Sequence, residues 1–296
     1  MKSGFVSFVG RPNAGKSTLL NRIVGTKLAI VSDKPQTTRN RIIGVKNYPD
    51  GQVVFVDTPG IHRPLHRMNV RMVDTAVESL SDVDVVALML DASEKPGHGR
   101  QFLLDLLKDR KSSAVLVLNK IDLIAKPRLL PIIEELAATG LFKEIVPVSA
   151  LTGLNVDRLE RVFLDLLPEG EALYPPDYLT DQPERFFVSE IIREQVLQHT
   201  HAELPFASAV VIDRFEEPPE GSDLLKVYAS ILVERDSQKP ILVGRAGEMI
   251  KRIGTAARKE IEAFIGTRTY LDLRVRVKEE WREDERVLDD LRLRRR

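Results

Sequence analysis

Gly10-Arg11-Pro12-Asn13-Ala14-Gly15-Lys16-Ser17 is the stretch on which the fold turns. An apolar run over residues 5–9 leads into it, and Leu19, Leu20 and Ile23 follow at helical spacing. A strand, a glycine-bounded loop and a helix form the context in which G-x-x-x-x-G-K-[ST] is a phosphate-binding loop. Its glycines let backbone N–H groups curl around phosphate oxygens, and the helix N-terminus adds partial positive charge. Gly10 through Thr18 then form the cradle, Lys16 reaches the β- and γ-phosphates, and Ser17 offers its hydroxyl to Mg²⁺.

Outward from this loop, residues 1–167 alternate short apolar runs with amphipathic stretches. That is the pattern of an α/β domain whose mixed, mostly parallel sheet is wound by helices. Strands are expected over 5–9, 42–48, 52–57, 83–91, 114–120 and 144–149, and helices over 17–24, 69–80, 100–111, 127–139 and 156–167. Pro49-Asp50-Gly51 makes the second and third strands an antiparallel hairpin at a sheet edge. Periodicity stops in Pro168-Glu169-Gly170 and Tyr174-Pro175-Pro176-Asp177, so we expect a domain over 1–170, a linker over 171–184 and a second, α+β domain over 185–296. The second domain reads as a helix over 187–200, strands over 207–215 and 225–234, helices over 247–253 and 255–265 separated by Gly254, a strand over 270–277, and a charged final helix.

Composition narrows the function. The 296 residues hold no cysteine, which excludes disulfides, thiolate metal sites and thiol catalysis. They also hold no apolar run long enough for a membrane span, and we expect a cytoplasmic monomer. The formal charge is zero, from 44 basic and 44 acidic residues, but it is unevenly spread. Residues 239–278 carry ten Lys/Arg against four acids, a stripe of +6 suited to nucleic acid. The tail Leu291-Arg292-Leu293-Arg294-Arg295-Arg296 reads either as a solvated terminus or as a contact for RNA or for an anionic surface at the inner face of the cell membrane.

Three more motifs stand at strand ends, where ligands of wound sheets sit. Asp57-Thr58-Pro59-Gly60 places a carboxylate to hold Mg²⁺ through water, and the Gly60 amide can meet the γ-phosphate. In Asn119-Lys120-Ile121-Asp122 the last carboxylate can accept from both the N1–H and the exocyclic amine of guanine, whereas adenine offers an acceptor at N1. Ser149-Ala150 brings backbone amides toward the guanine O6. Ile61 follows Gly60, and a hydrocarbon there cannot orient attacking water as the Gln of Ras-like enzymes does. His62 reads as a solvent-exposed loop residue, and His199 and His201 do not share a helix face.

In the second domain, Gly244-Arg245-Ala246-Gly247 sits in an apolar–GxxG–x–x–Ile pattern within Leu242–Lys251, in the manner of a type II KH domain. Such a loop admits the phosphates of a single strand, with Arg245, Lys251, Arg252 and Arg258 as its cations.

These motifs resemble the translation-factor-related GTPases. Lys34-Pro35-Gln36-Thr37-Thr38-Arg39 and the Asn13 of the phosphate loop narrow the resemblance to the Era family, and with the KH pattern it covers nearly the whole chain. The resemblance implies GTP and GDP as ligands with Mg²⁺, and Thr38 as the switch threonine on Mg²⁺ and the γ-phosphate, with Thr37 the alternative. It also implies Asn13 beside a catalytic K⁺, with Lys16 and Gly60 completing the catalytic set. Its implied partners are the 3′ end of 16S ribosomal RNA and the small (30S) subunit in assembly. Two other readings stay open on the residues: a GTPase of tRNA modification or the large subunit, and an RNA-binding module with a structural nucleotide.

Overall fold

β1 (Lys2–Gly10) ends at the first glycine of the phosphate loop, and α1 (Lys16–Val24) starts on its lysine. The computed structural model describes residues 1–61, 64–108 and 112–293. β2 (Ile42–Tyr48) and β3 (Gly51–Asp57) come next. After them run α2 (Arg67–Glu78), β4 (Val85–Asp91), α3 (His98–Asp105), β5 (Ser113–Asn119), α4 (Leu129–Ala137), β6 (Glu144–Pro147) and α5 (Val156–Leu166). The strands form one sheet in the order β2-β3-β1-β4-β5-β6. β2 pairs antiparallel with β3 and the other pairings are parallel, as the turn residues and the continuous apolar runs require. Phe8, Phe55 and Phe163 lock α5 onto the sheet, with ring centroids 5.6, 5.9 and 6.2 Å apart.

α3 is shorter than the expected 100–111 helix: it ends at Asp105, and 109–111 lie outside the described residues. Within the stretch expected as linker, residues 173, 174, 178 and 179 bond to or pack on β2 and β3. The Gln52 side chain accepts from the Leu173 and Tyr174 amides and donates to the Tyr174 carbonyl. Val45 N–H donates to the Leu179 carbonyl, and Tyr174 and Tyr178 stack at 4.6 Å over Val45 and Val54. The contacts divide the chain into two units, Met1–Pro64 with Met72–Asp181, and Leu65–Arg71 with Gln182–Arg296. The packing of Tyr174 and Tyr178 explains why the first unit extends to Asp181.

The second unit is built on β7 (Ala209–Glu216), β8 (Leu224–Val233) and β9 (Arg268–Val277), with β8 central, antiparallel to β7 and parallel to β9. α6 (Glu184–His199) and α9 (Glu248–Ile265) cover one face, where Val188, Ile192, Ile253, Ala257 and Ile261 meet Val227 and Ile231. α7 (Leu204–Ala207) precedes β7, and α8 (Lys239–Val243) precedes α9. The helix break expected at Gly254 is absent. Gly254 lies inside the continuous α9, where a Cβ would meet Leu273 at an ordinary 3.4 Å. The break comes earlier, at Gly244–Gly247, so the GxxG itself joins α8 to α9.

α10 (Glu285–Asp290) is short and capped by Asp284, whose side chain accepts from the Arg286 and Val287 amides. Leu293 is buried, so the tail is packed at least this far, while Arg294–Arg296 lie outside the described residues. Leu65–Arg71 joins this unit through backbone and charge together. Met68 N–H donates to the Arg282 carbonyl at 3.1 Å, and Arg71 bonds Glu285, the Leu293 carbonyl and, at 2.8 Å, Asp289.

Candidate functional site

The parallel pairing of β1 with β3 and β4, and of β4 with β5, brings Gly10, Asp57, Asp91 and Asn119 to one edge of the sheet. The cradle opens there, lined by Pro12, Asn13, Gly15, Lys16, Ser17, Thr18, Thr37, Thr38 and Gly60 among others. Lys16 is buried, and its Nζ donates to the Gly10 and Arg11 carbonyls at 3.2 and 3.0 Å. Burial lowers its pKa to about 8, against the attraction of Asp57.

A phosphate ligand restores the full charge of Lys16, so we expect binding above pH ~8 to take up a proton. The affinity should then fall toward tenfold per pH unit. Calorimetry at about pH 8.5 in buffers of different ionisation heat checks this; no net proton uptake would contradict it.

Three oxygens converge below the cradle. Ser17 Oγ donates to Asp57 Oδ2 at 2.6 Å and lies 2.6 Å from Thr38 Oγ1, which is itself 3.5 Å from Asp57. Asp57 Oδ1 is buried without a hydrogen-bond partner, so this carboxylate has acceptor capacity that a hydrated cation would use. Burial pushes the Asp57 carboxyl up, while Lys16 and the Ser17, Thr58 and Thr38 bonds pull it down. The set of two hydroxyls and one carboxylate suits a hard cation such as Mg²⁺. The structure brings Thr38 into the set and not Thr37, whose hydroxyl donates to the Lys34 carbonyl at 2.6 Å. Asn13, with φ 62°, donates to the Asp33 carbonyl at 2.7 Å and so ties the phosphate loop to the segment before Thr38. Thr58 is buried and donates to the Phe8 carbonyl, a scaffold bond. Gly60 lies against Pro12, and the Ile61 amide donates to the Gly10 carbonyl at 3.1 Å. The Ile61 side chain packs into the core with Val9, Leu80 and Leu88, while His62 lies outside the described residues.

The base end is held by Asn119, whose amide uses both ends. Nδ2 donates to the Ala14 carbonyl at 2.8 Å, and Oδ1 accepts from Ala150 N–H at 2.9 Å. The Ala150 amide expected to read O6 is therefore engaged inside the protein. Asp122 is exposed just past the end of β5, and Lys120 Nζ pairs with Asp91 Oδ2 at 2.7 Å. Asp91 belongs to none of the sequence motifs, although it ends a parallel strand in register with Asn119, and that position was the available signal.

In the second unit, Gly244 has φ 75° and a Cβ on it would come within 2.7 Å of the Met249 amide nitrogen, so only glycine fits there. The basic stripe splits into two groups. Arg268, Arg274, Arg276 and Lys278 of the β9 side pair with Asp223, Asp272, Asp213 and Asp284 at 3.9, 3.1, 3.3 and 2.8 Å. Lys239, Arg245, Lys251, Arg252, Arg258 and Lys259, on α8, α9 and the loop between them, are exposed and form no ion pair with a described residue. The charge left for phosphates thus gathers on the GxxG side.

Residues 5–120 match the family of 50S ribosome-binding GTPases, and residues 203–282 match the KH domain. The chain is 53% identical over 291 residues to GTPase Era of Geotalea daltonii, covering 97% of this chain and 96% of that one. It is 49% identical to GTPase Era of Heliobacterium modesticaldum, over 97% and 96% of the two chains. A crystal structure of an Era variant of Aquifex aeolicus bound to GDP·AlF₄⁻ superposes with a TM-score of 0.94 at 39% identity, covering 99% of both chains. Era in complex with MgGDPNP and nucleotides 1506–1542 of 16S ribosomal RNA superposes with a TM-score of 0.95 at 40% identity, again over 99% of both.

Proposed function

The chain belongs to the Era family of GTPases, and from that premise we propose that it is a GTP-hydrolysing switch that binds the 3′ end of 16S ribosomal RNA and acts in assembly of the small ribosomal subunit. The observation that carries the reading is the pairing, in one chain, of a converged Ser17–Thr38–Asp57 set with a GxxG loop flanked by unpaired cations. GTP and GDP are its nucleotides, with Mg²⁺.

The residues divide the work of hydrolysis by position. Lys16 leaves the Gly10 and Arg11 carbonyls for the β- and γ-phosphate oxygens, where its charge offsets that of the departing GDP. Ser17, Thr38 and Asp57 would hold Mg²⁺, which would supply positive charge against the β- and γ-phosphates. The Gly60 N–H binds a γ-phosphate oxygen. Water attacks phosphorus as the bond to the β-γ bridging oxygen breaks; that oxygen leaves on GDP with the electron pair, and the water's protons go to the phosphate product and to solvent. With Ile61 in the core, its side chain cannot orient that water.

We assign the missing positive charge to K⁺ seated beside Asn13, whose amide already bridges the phosphate loop and the Asp33 carbonyl. An arginine finger in other GTPases is worth ~10³–10⁵ in rate, and we expect K⁺ to supply at least about tenfold over Na⁺. Steady-state GTP turnover in the two salts, with and without a 16S 3′-end fragment, tests the proposal. Equal rates in K⁺ and Na⁺ would remove the cation role, and no RNA binding would remove the ribosomal one.

Gly244–Gly247, Arg245, Lys251, Arg252 and Arg258 form the RNA site in this proposal. Arg245→Glu and Lys251→Glu should each flatten the salt dependence of RNA binding by about 0.7 in slope per lost phosphate contact, and leave GTP binding intact. We propose a cytoplasmic monomer. No described helix is long and apolar enough to cross a membrane, and the basic tail is the segment that would touch an anionic one.

A further inference from the structure

Arg22 lies on α1, outside every motif named above, and its guanidinium reaches the loop that follows β6. Nε donates to the Ala150 carbonyl at 3.3 Å, and a terminal nitrogen donates to the Leu151 carbonyl. The guanidinium lies over Gly153, where a Cβ would stand 3.7 Å from Nη1.

The rest of this loop is closed on itself. Ser149 N–H donates to the Leu154 carbonyl at 3.1 Å, and Gly153 N–H to the Ser149 carbonyl at 2.8 Å. Thr152 N–H donates to Ser149 Oγ at 3.2 Å, and Ala150 N–H is held by Asn119. Between Ser149 and Gly153, the Leu151 N–H alone donates to no described residue.

That N–H and the Ala150 carbonyl are opposite ends of one planar trans peptide, so fixing the carbonyl fixes the direction of the donor. A flip of the plane would turn the N–H back toward α1 and lose the Arg22 bond. Building on the guanine-site reading above, we propose that Arg22 is a positioning residue for base recognition. By holding the Ala150–Leu151 peptide it keeps the Leu151 N–H aimed at the O6 of a guanine whose N1–H and amine rest on Asp122. Arg22 thus links the helix that starts at the phosphates to the loop that reads the base.

The test uses the full chain, Arg22→Ala and Arg22→Lys, with GDP, 6-thioguanosine diphosphate, inosine diphosphate and ADP. The thio analogue keeps the N1–H and the amine but offers a poor acceptor at position 6; the inosine analogue keeps O6 and lacks the amine. Arg22→Ala should weaken GDP about fivefold, the worth of about one hydrogen bond, and leave the thio analogue nearly unchanged. The preference for GDP over the thio analogue then narrows by that factor, while the preference over inosine diphosphate stays. Arg22→Lys, which keeps one donor, should recover some of the loss. Equal weakening of GDP and the thio analogue would show a merely structural role and overturn the proposal, as would unchanged GDP affinity. Failure of the guanine reading itself would look different: the unmodified protein would bind ADP as well as GDP.

Discussion

Asp122→Asn is expected to lower the affinity for GTP by roughly 10²-fold and to raise that for xanthosine triphosphate. A hydrogen bond to a charged acceptor is worth ~1.5–3 kcal/mol, and in the proposed site the carboxylate accepts two from guanine. The amide keeps one acceptor and adds a donor, which matches the 2-carbonyl of xanthine and opposes the amine of guanine. Asp122 is exposed while Asn119 beside it is buried between Ala14 and Ala150, so the substitution changes the base contact without unseating the scaffold. Competition binding with GTP, XTP and ATP reads the result. Unchanged preference for GTP would place base recognition elsewhere.

The second large effect is expected at Gly60. A Cβ there would stand 2.6 Å from the Pro12 nitrogen and 2.7 Å from its Cα, so backbone must move on one side or the other. The Ile61–Gly10 hydrogen bond resists that movement, and the shift falls on the turn that carries the Gly60 amide. Misplacement of a positioning group by about 1 Å costs ~10² in rate, so Gly60→Ala should lose about 10²-fold in kcat. In the proposed site the Gly60 amide meets the γ-phosphate, which GDP lacks, so the affinity for GDP should hold. Single-turnover hydrolysis beside GDP binding checks this; undiminished kcat would remove Gly60 from the catalytic set.

Much of the first unit was legible because its signals are local. A buried parallel strand reads as a continuous apolar run, and Asp57 and Asn119 each close such a run. What was missed depends on distant partners. Gly254 looked like a helix break because glycine is a poor helix former, yet the packing of Ile253, Ala257 and Ile261 outweighs that local cost. The Pro-rich stretch lacks periodicity and so reads only as a linker; its attachment to Gln52 and the β2 edge runs through backbone groups that leave no side-chain pattern. The basic stripe was real in sequence, while the pairing of four of its members with acids from other segments shows only in the fold.

In the proposed switch the nucleotide governs RNA binding. The two segments proposed to respond to a γ-phosphate, around Thr38 and Gly60, belong to the first unit. Leu65–Arg71, a few residues beyond Gly60, packs within the KH unit through Met68 and Arg71. In the proposed switch, ordering of the segment around Gly60 by GTP would reach the RNA-binding body along this stretch of chain. A ligand shifts such an equilibrium by its differential affinity for the two states, typically ~1–3 kcal/mol or 5–150-fold, and the effect is reciprocal. The most direct measurement is the affinity of the full chain for the 16S 3′-end fragment, at fixed salt, with GDP and with a non-hydrolysable GTP analogue. We predict binding tighter by at least about fivefold with the analogue, and an equal tightening of the analogue by RNA. RNA affinities that agree within error in the two nucleotide states would contradict the account and leave two domains that are only tethered.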